Sequence, residues 1–167
     1  ARSSEKGLPF TEKGITVKIG NYQDPSSLVE AMQGIDSVLL ISSSDFNDRI
    51  GQHKNVIDAA KAAGVQHIFY TGVAIKNIET SPLKPLLGDH FETEAYIKQS
   101  GLTHTFLRNS LYADVVPMFI GANVLETGVF FPAGEGKVAF ATRNDLAKAI
   151  TKIVASNGHE NKTYHLT

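Results

Sequence analysis

The chain contains no cysteine. Disulfide bonds and thiolate chemistry are therefore excluded, although the compartment is not fixed by that absence. An excess of charge of either sign is also missing: 16 basic against 17 acidic residues give a formal net charge of −1. Nothing here forms an electrostatic footprint for nucleic acid or for an acidic membrane surface. No run of about 18 apolar residues and no basic-then-apolar leader occurs, so the expectation is a cytoplasmic protein with neither a membrane nor nucleic acid among its partners. The histidines at 53, 67, 104, 159 and 165 lack metal-ligand spacing, and no metal is expected. Ser-His-Asp hydrolase chemistry lacks its G-x-S-x-G elbow. The G-x-G-x-x-G turn that lets a chain approach a pyrophosphate is absent as well. Gly134-Glu-Gly136 lies between apparent strands instead of opening a helix, and is not read as a phosphate site.

What is present is an alternation of apolar runs and helical stretches. At 167 residues, with 42% hydrophobic and 20% charged, the chain can bury one core. Ser37-Val-Leu-Leu-Ile-Ser42 shows no polar alternation, as expected of a strand buried on both faces of a parallel sheet. A helix follows over 47–63, with Ile50, His53, Val56, Ile57 and Ala60 at helical spacing, and then a second strand, His67-Ile-Phe-Tyr-Thr71. A further strand is expected at 104–108 and a last one at 163–166, with helices at 25–33, 89–100 and 145–156. Residues 15–19 alternate like a short strand, and 128–131 and 137–140 look like strands around the Gly134 turn. The stretch 109–125 is read as a helix interrupted near Pro117, 75–88 as a long loop, and 1–6 as a strand end entering a loop. Together these predict a doubly wound, mostly parallel α/β sheet of the Rossmann type. Small hydroxyl residues stand at the carboxyl ends of two strands, the edge where open α/β sheets bind ligands.

The runs Ala1-Arg-Ser-Ser-Glu-Lys6, Gly34-Ile-Asp-Ser-Val-Leu-Leu-Ile-Ser-Ser-Ser44, His53-Lys-Asn-Val-Ile-Asp-Ala-Ala-Lys-Ala-Ala-Gly-Val65, His67-Ile-Phe-Tyr-Thr71 and Phe106-Leu-Arg-Asn109 resemble the NmrA-like family of atypical short-chain dehydrogenases. The resemblance runs from Arg2 to the last residue. It implies that residues 1–167 are a partial NAD(P)-binding domain, lacking the family's first strand, glycine-rich turn, second strand and carboxyl-terminal substrate domain. It also implies NADP(H) as preferred cofactor, with NAD(H) as the second option, and a small quinone-like substrate. A homodimer is compatible with it.

The same resemblance assigns candidate residues. Arg2 matches an arginine that contacts the NADP 2′-phosphate, where a guanidinium offers a planar fork of donors, and Lys6 adds a charge nearby. The alternative is a solvated charge at a frayed terminus. Ser42, Ser43 and Ser44 could line the cofactor or serve only as loop and capping residues. Thr71 and Gly72 end a strand; Gly72 would admit a close cofactor or simply make a turn. Asn109, Ser110, Leu111, Tyr112, Ala113 and Asp114 occupy the segment that wraps the nicotinamide in the family, although Tyr112 could equally be a buried, satisfied tyrosine. Asn21 stands where the family carries an acid near the adenine. His90 and Glu94 fall where short-chain dehydrogenases carry the Tyr-x-x-x-Lys pair, so the usual proton relay is absent and His90 is the candidate catalytic residue. The expected activity is hydride transfer to a quinone or similar flat electrophile. The competing reading is a redox-sensing regulator that binds dinucleotide without turnover; sugar-nucleotide chemistry needs the missing tyrosine-lysine pair.

Overall fold

The computed structural model describes residues 1–129 and 137–167. Its centre is a parallel sheet of β1 (Ser37–Ile41), β2 (His67–Val73), β3 (Thr103–Asn109) and, after a second short pair, β6 (Lys162–Leu166), hydrogen-bonded in that order. Leu40 lies beside Tyr70, Tyr70 beside Phe106, and Phe106 beside Thr163. Because side chains alternate across a strand, Leu40, Ile68, Tyr70 and Phe106 form one buried surface with Ile57 and Ile97. Phe69 and Leu107 face the other way and pack with Ile150. Helices α2 (Pro25–Met32), α3 (Arg49–Ala62) and α4 (Lys84–Ser100) cover the first face, while α7 (Arg143–Val154) covers part of the second. β2 and β3 are buried on both faces, as strands without alternation should be. β1 is not, because Leu39 and Ile41, on the Phe69 face, are 36% and 61% exposed, so the expected two-sided burial of that strand is corrected.

Local signals set the helix ends. Asp24 accepts from the backbone N–H groups of Ser26 and Ser27 ahead of Pro25, giving α2 its start. Thr142 caps α7 by accepting from Asp145 N–H, and Gly101, at φ 83°, ends α4.

Several expectations are corrected. Residues 4–11 are helical (α1, Ser4–Thr11), with the Ser3 hydroxyl accepting from Lys6 N–H and Glu5 in the first turn, instead of a loop. Residues 15–19 form no strand: Ile15 N–H turns back to Phe10 O, and among the described residues only Ala1 N–H to Lys18 O, with Gly20 N–H to Ala1 O just beyond, links their backbone to another segment, which is too little for a ladder. Helix α4 starts at Lys84, five residues before the expected 89, because Pro85 occupies its first turn, where no intrahelical N–H is needed. Pro117 likewise opens a short helix, α5 (Val116–Ile120), instead of interrupting one. Around it lie β4 (Leu111–Tyr112), a 3-10 turn (Ala113–Val115) and α6 (Val124–Thr127). Strand β5 (Phe140–Ala141) pairs in parallel with β4 and is shorter than the expected 137–140 run. Residues 128 and 129 are not in a strand, and the rest of that expected strand, with the Gly134-Glu-Gly136 turn, lies outside the described residues.

Gly7 is buried on α1, and a Cβ placed there would stand 2.6 Å from Val17 Cγ1. Overpacking of this kind costs roughly 1–3 kcal/mol, and alanine recovers about 1 kcal/mol of helix propensity. Gly7→Ala should therefore lower stability by up to about 2 kcal/mol. Adding Val17→Ala should restore most of the loss; urea midpoints of the single and double variants check this.

Candidate functional site

The carboxyl ends of β1, β2 and β3 meet along one edge of the sheet. Ser42 N–H donates to Thr71 Oγ1 at 2.9 Å, joining the ends of β1 and β2. Ala74 N–H donates to Asn109 O and Ser110 N–H to Leu166 O, joining β2 to β3 and β3 to β6. Two clefts open on this edge. One, of about 580 Å³, is lined by Arg2, Asn21, Ser42, Ser43, Ser44 and Asp45 among others. The second, about 430 Å³, includes Ser42, Thr71, Asn109, Tyr112 and Arg143. Ile41 and Ser42 belong to both, so the two form a continuous track from Arg2 to Tyr112, polar along the serines and mainly apolar beyond them, where Leu39, Leu146 and Ile150 line it.

A third cleft of about 770 Å³ adjoins the track and includes Ser110, Leu111, Arg108 and Lys76. Two buried polar atoms at the end of β3, Asn109 Oδ1 and Ser110 Oγ, have no hydrogen-bond partner among the described residues. Buried polar atoms are ordinarily paired, so these two are suited to a polar ligand lying over the strand end. Arg143 stacks its guanidinium 4.8 Å from the Tyr112 ring centre, and Asp114 Oδ2 accepts from Arg143 N–H at 2.7 Å at the start of α7.

Other candidates lie away from the track. Lys6 is exposed on α1 and Ala113 sits in the 3-10 turn; neither lines a cleft described above. Gly72 points to the α4 side, where a Cβ would meet Glu94 Oε1 at 3.3 Å. Its lack of a side chain makes room for the Glu94–Arg108 ion pair, in which Arg108 donates to the carboxylate at 2.8 and 2.6 Å.

His90 also faces inward, its Nδ1 2.8 Å from Tyr70 Oη. Burial pushes the His90 pKa down to about 4, with the nearby Arg49 charge adding to the shift. Tyr70 is fully buried, and burial raises its pKa far above the ordinary tyrosine value. The phenol therefore stays protonated and can donate to His90.

Sequence reasoning missed a polar layer behind the serines. His53, fully buried on α3, accepts Ser43 N–H at Nε2 (2.9 Å) and lies 2.8 Å from Thr93 Oγ1 through Nδ1. Thr93 O–H donates to Asp89 O, so Nδ1 is assigned the histidine proton. Burial lowers the His53 pKa to about 4, with His90 and Arg49 contributing. The available signal was the placement of His53 in the core-facing row with Val56 and Ile57.

Parallel strands flanked by helices, with a continuous track across their carboxyl ends, define a Rossmann-like α/β protein. The NmrA-like family model matches residues 2–166, and the chain belongs to that family. It is 44% identical over 166 residues to quinone oxidoreductase 2 of Escherichia coli (strain K12), covering 99% of this chain and 57% of the relative. The structure of the E. coli NADPH-dependent quinone oxidoreductase complexed with NADPH superposes with a TM-score of 0.87 at 42% identity, covering 99% of this chain and 58% of that one. Triphenylmethane reductase from Citrobacter sp., complexed with NADP(H), gives 0.86 at 40% identity with the same coverage. The chain thus spans little more than half the length of these relatives. Among the described residues no helix is long and apolar enough to cross a membrane, and no His/Asp/Glu group could hold a metal ion.

Proposed function

We propose that this chain forms part of the dinucleotide-binding domain of an NAD(P)H-dependent reductase that passes hydride to a quinone or similar flat electrophile, with NADP(H) preferred over NAD(H). The observation that carries the reading is the continuous track along the strand ends, polar at Arg2 and the serines and more apolar toward Tyr112. Arg2 and the three serines share its first cleft, and the unpartnered Asn109 Oδ1 and Ser110 Oγ stand near its other end. These residues fit a dinucleotide: a guanidinium for a phosphate, hydroxyl and peptide groups for the ribose and diphosphate region, and unsatisfied acceptors for the nicotinamide end. Asp45 lines the same cleft, but its carboxylate already accepts from Gln52 Nε2 and Asn47 N–H. When bound, the nicotinamide would supply the hydride; this chain's residues supply position and polarity.

His90 can contribute a hydrogen bond but little acid. With Tyr70 donating to Nδ1, its own proton sits on Nε2, and a pKa near 4 keeps the ring neutral at pH 7. A quinone tolerates this, because its reduced oxygen is a stabilised phenolate. The relatives named for quinone and dye reduction, at 40–44% identity, support the same class.

The experiment is a titration of the full-length protein with NADPH and NADH, followed by a quinone panel. Arg2→Ala should weaken NADPH by about one to two powers of ten, the value of a charge-assisted phosphate contact, and NADH far less. Equal losses remove Arg2 from the site. Tight NADPH binding with no substrate-dependent oxidation would favour a dinucleotide-sensing regulator over a reductase.

A further inference from the structure

The first turns of α3 carry an unusual load of buried polar side chains. Arg49, Gln52 and His53 are 5%, 6% and 0% exposed, and they occupy one face at i, i+3 and i+4. All three reach the same residue, Ser43. His53 Nε2 accepts its N–H at 2.9 Å, Arg49 Nε donates to its carbonyl at 3.0 Å, and its hydroxyl donates to Gln52 Oε1 at 2.7 Å. Gln52 Nε2 donates to Asp45 Oδ2 at 2.7 Å, and Asp45 N–H returns to Ser43 Oγ at 3.1 Å. Ser43 therefore has both peptide groups and its hydroxyl held by side chains of one helix, where a strand would have used a ladder.

The contacts continue into α4. Arg49 also donates to Leu86 O at 3.1 Å and lies 3.8 Å from Asp89 Oδ2, while His53 reaches Thr93 and Thr93 reaches Asp89 O. Buried polar groups contribute little net stability compared with apolar ones of the same shape. What a fully bonded set does provide is a single conformation. Ser43 and its neighbours Ser42 and Ser44 wall the first cleft.

We propose that Arg49, Gln52 and His53 are positioning residues: a clamp on the Ser43 peptide that fixes the serine loop against α4 and so sets the wall of the cleft. On the reading above, from which this part follows, that wall is where the dinucleotide lies. Arg49 and His53 line no part of that cleft and act through Ser43, whereas Gln52 also forms part of the wall itself.

The test uses His53→Phe, which keeps an aromatic ring and removes both bonds, and Gln52→Met, a milder change if the first does not fold. His53→Gln, which retains an acceptor and a donor, serves as rescue. Amide hydrogen exchange is followed at Ser43 and Asp45 without ligand, and NADPH affinity is measured in parallel. Each lost bond leaves a buried partner unpaired, which favours opening of the loop. The Ser43 and Asp45 amides should therefore exchange at least about tenfold faster in His53→Phe and Gln52→Met. NADPH should bind roughly three- to tenfold more weakly, with His53→Gln close to wild type in both. Unchanged exchange at Ser43 and Asp45 in either folded variant overturns the clamp. Protected, clamp-dependent amides in a wild-type protein that binds no NADPH would support the clamp and remove the dinucleotide reading alone.

Discussion

Replacing Arg108 with methionine should lower the stability of the protein by about 3 kcal/mol, toward the low end of the 3–5 kcal/mol cost of breaking a buried ion pair. The Glu94 side chain is only 5% exposed, and Arg108 supplies both of its charge-assisted bonds. Without them the carboxylate is left buried with no counter-charge, and desolvation then dominates. The discount from the upper end reflects Arg108, whose side chain is 21% exposed and admits some water. Methionine retains much of the aliphatic contact beneath the Phe91 ring, over which the guanidinium stacks at 4.9 Å. The double variant Arg108→Met/Glu94→Leu should regain most of the loss, because removing both charges removes the stranded one. Urea unfolding of the single and double variants decides it; a single variant within about 0.5 kcal/mol of wild type would show that solvent, and not the partner, satisfies Glu94.

The protein should also lose stability steeply on mild acidification. His53 and His90 are each lowered from 6.5 to about 4 in the folded state, chiefly by burial. The unfolded chain therefore binds more protons than the native one between these values, and stability rises with pH across that window. The full contribution is present above about pH 6.5, declines as pH falls toward 4, and changes no further below that from this source. A shift from 6.5 to about 4 corresponds to roughly 3 kcal/mol for each ring, and the two are close enough to be coupled, so the sum is an upper bound. His67, also lowered by burial, acts in the same direction. Carboxylates whose pKa is depressed, such as Glu160, contribute above their unfolded values and lose this only at lower pH. Thermal midpoints measured from pH 7.5 to 4.5 should fall, and His53→Gln with His90→Gln should flatten most of the slope. A flat wild-type profile over that range would mean that both rings gain protons in the fold without penalty.

These two expectations concern residues that differ in how visible they are in the chain. Glu94 and His90 stand out in the chain because the family resemblance aligns them with a tyrosine-lysine pair, and the structure turns both inward, one to Arg108 and one to Tyr70. A helix position specifies a face, but which partner awaits there depends on the strand beneath. Gly72, open in the sequence to a ligand approach or a turn, also leaves room beside the Glu94 carboxylate.

Prolines show the same limit. Pro117 is expected to interrupt a helix and Pro85 falls within an expected loop, although proline fits a helix's first turn as well as it ends one, and only the chain beyond tells which. Residues 15–19 alternate as a strand should, but a strand exists only where a neighbour offers a ladder, and alternation says nothing about the neighbour.

The parallel α/β sheet is legible in the chain itself, because strands without alternation call for cover on both faces and the helices between them carry apolar stripes, even though β1 keeps Leu39 and Ile41 exposed. The family is legible too, as is the row of hydroxyl residues at the ends of β1 and β2, since these follow apolar runs directly along the chain. Only the tertiary structure shows that Arg49, Gln52 and His53 converge on Ser43, that Tyr70 meets His90, and that Asn109 Oδ1 and Ser110 Oγ, at the strand end, have no partner among the described residues. Those contacts join residues on different elements, and their bonds depend on angstrom-scale placement set by packing, which residue spacing along one element does not encode.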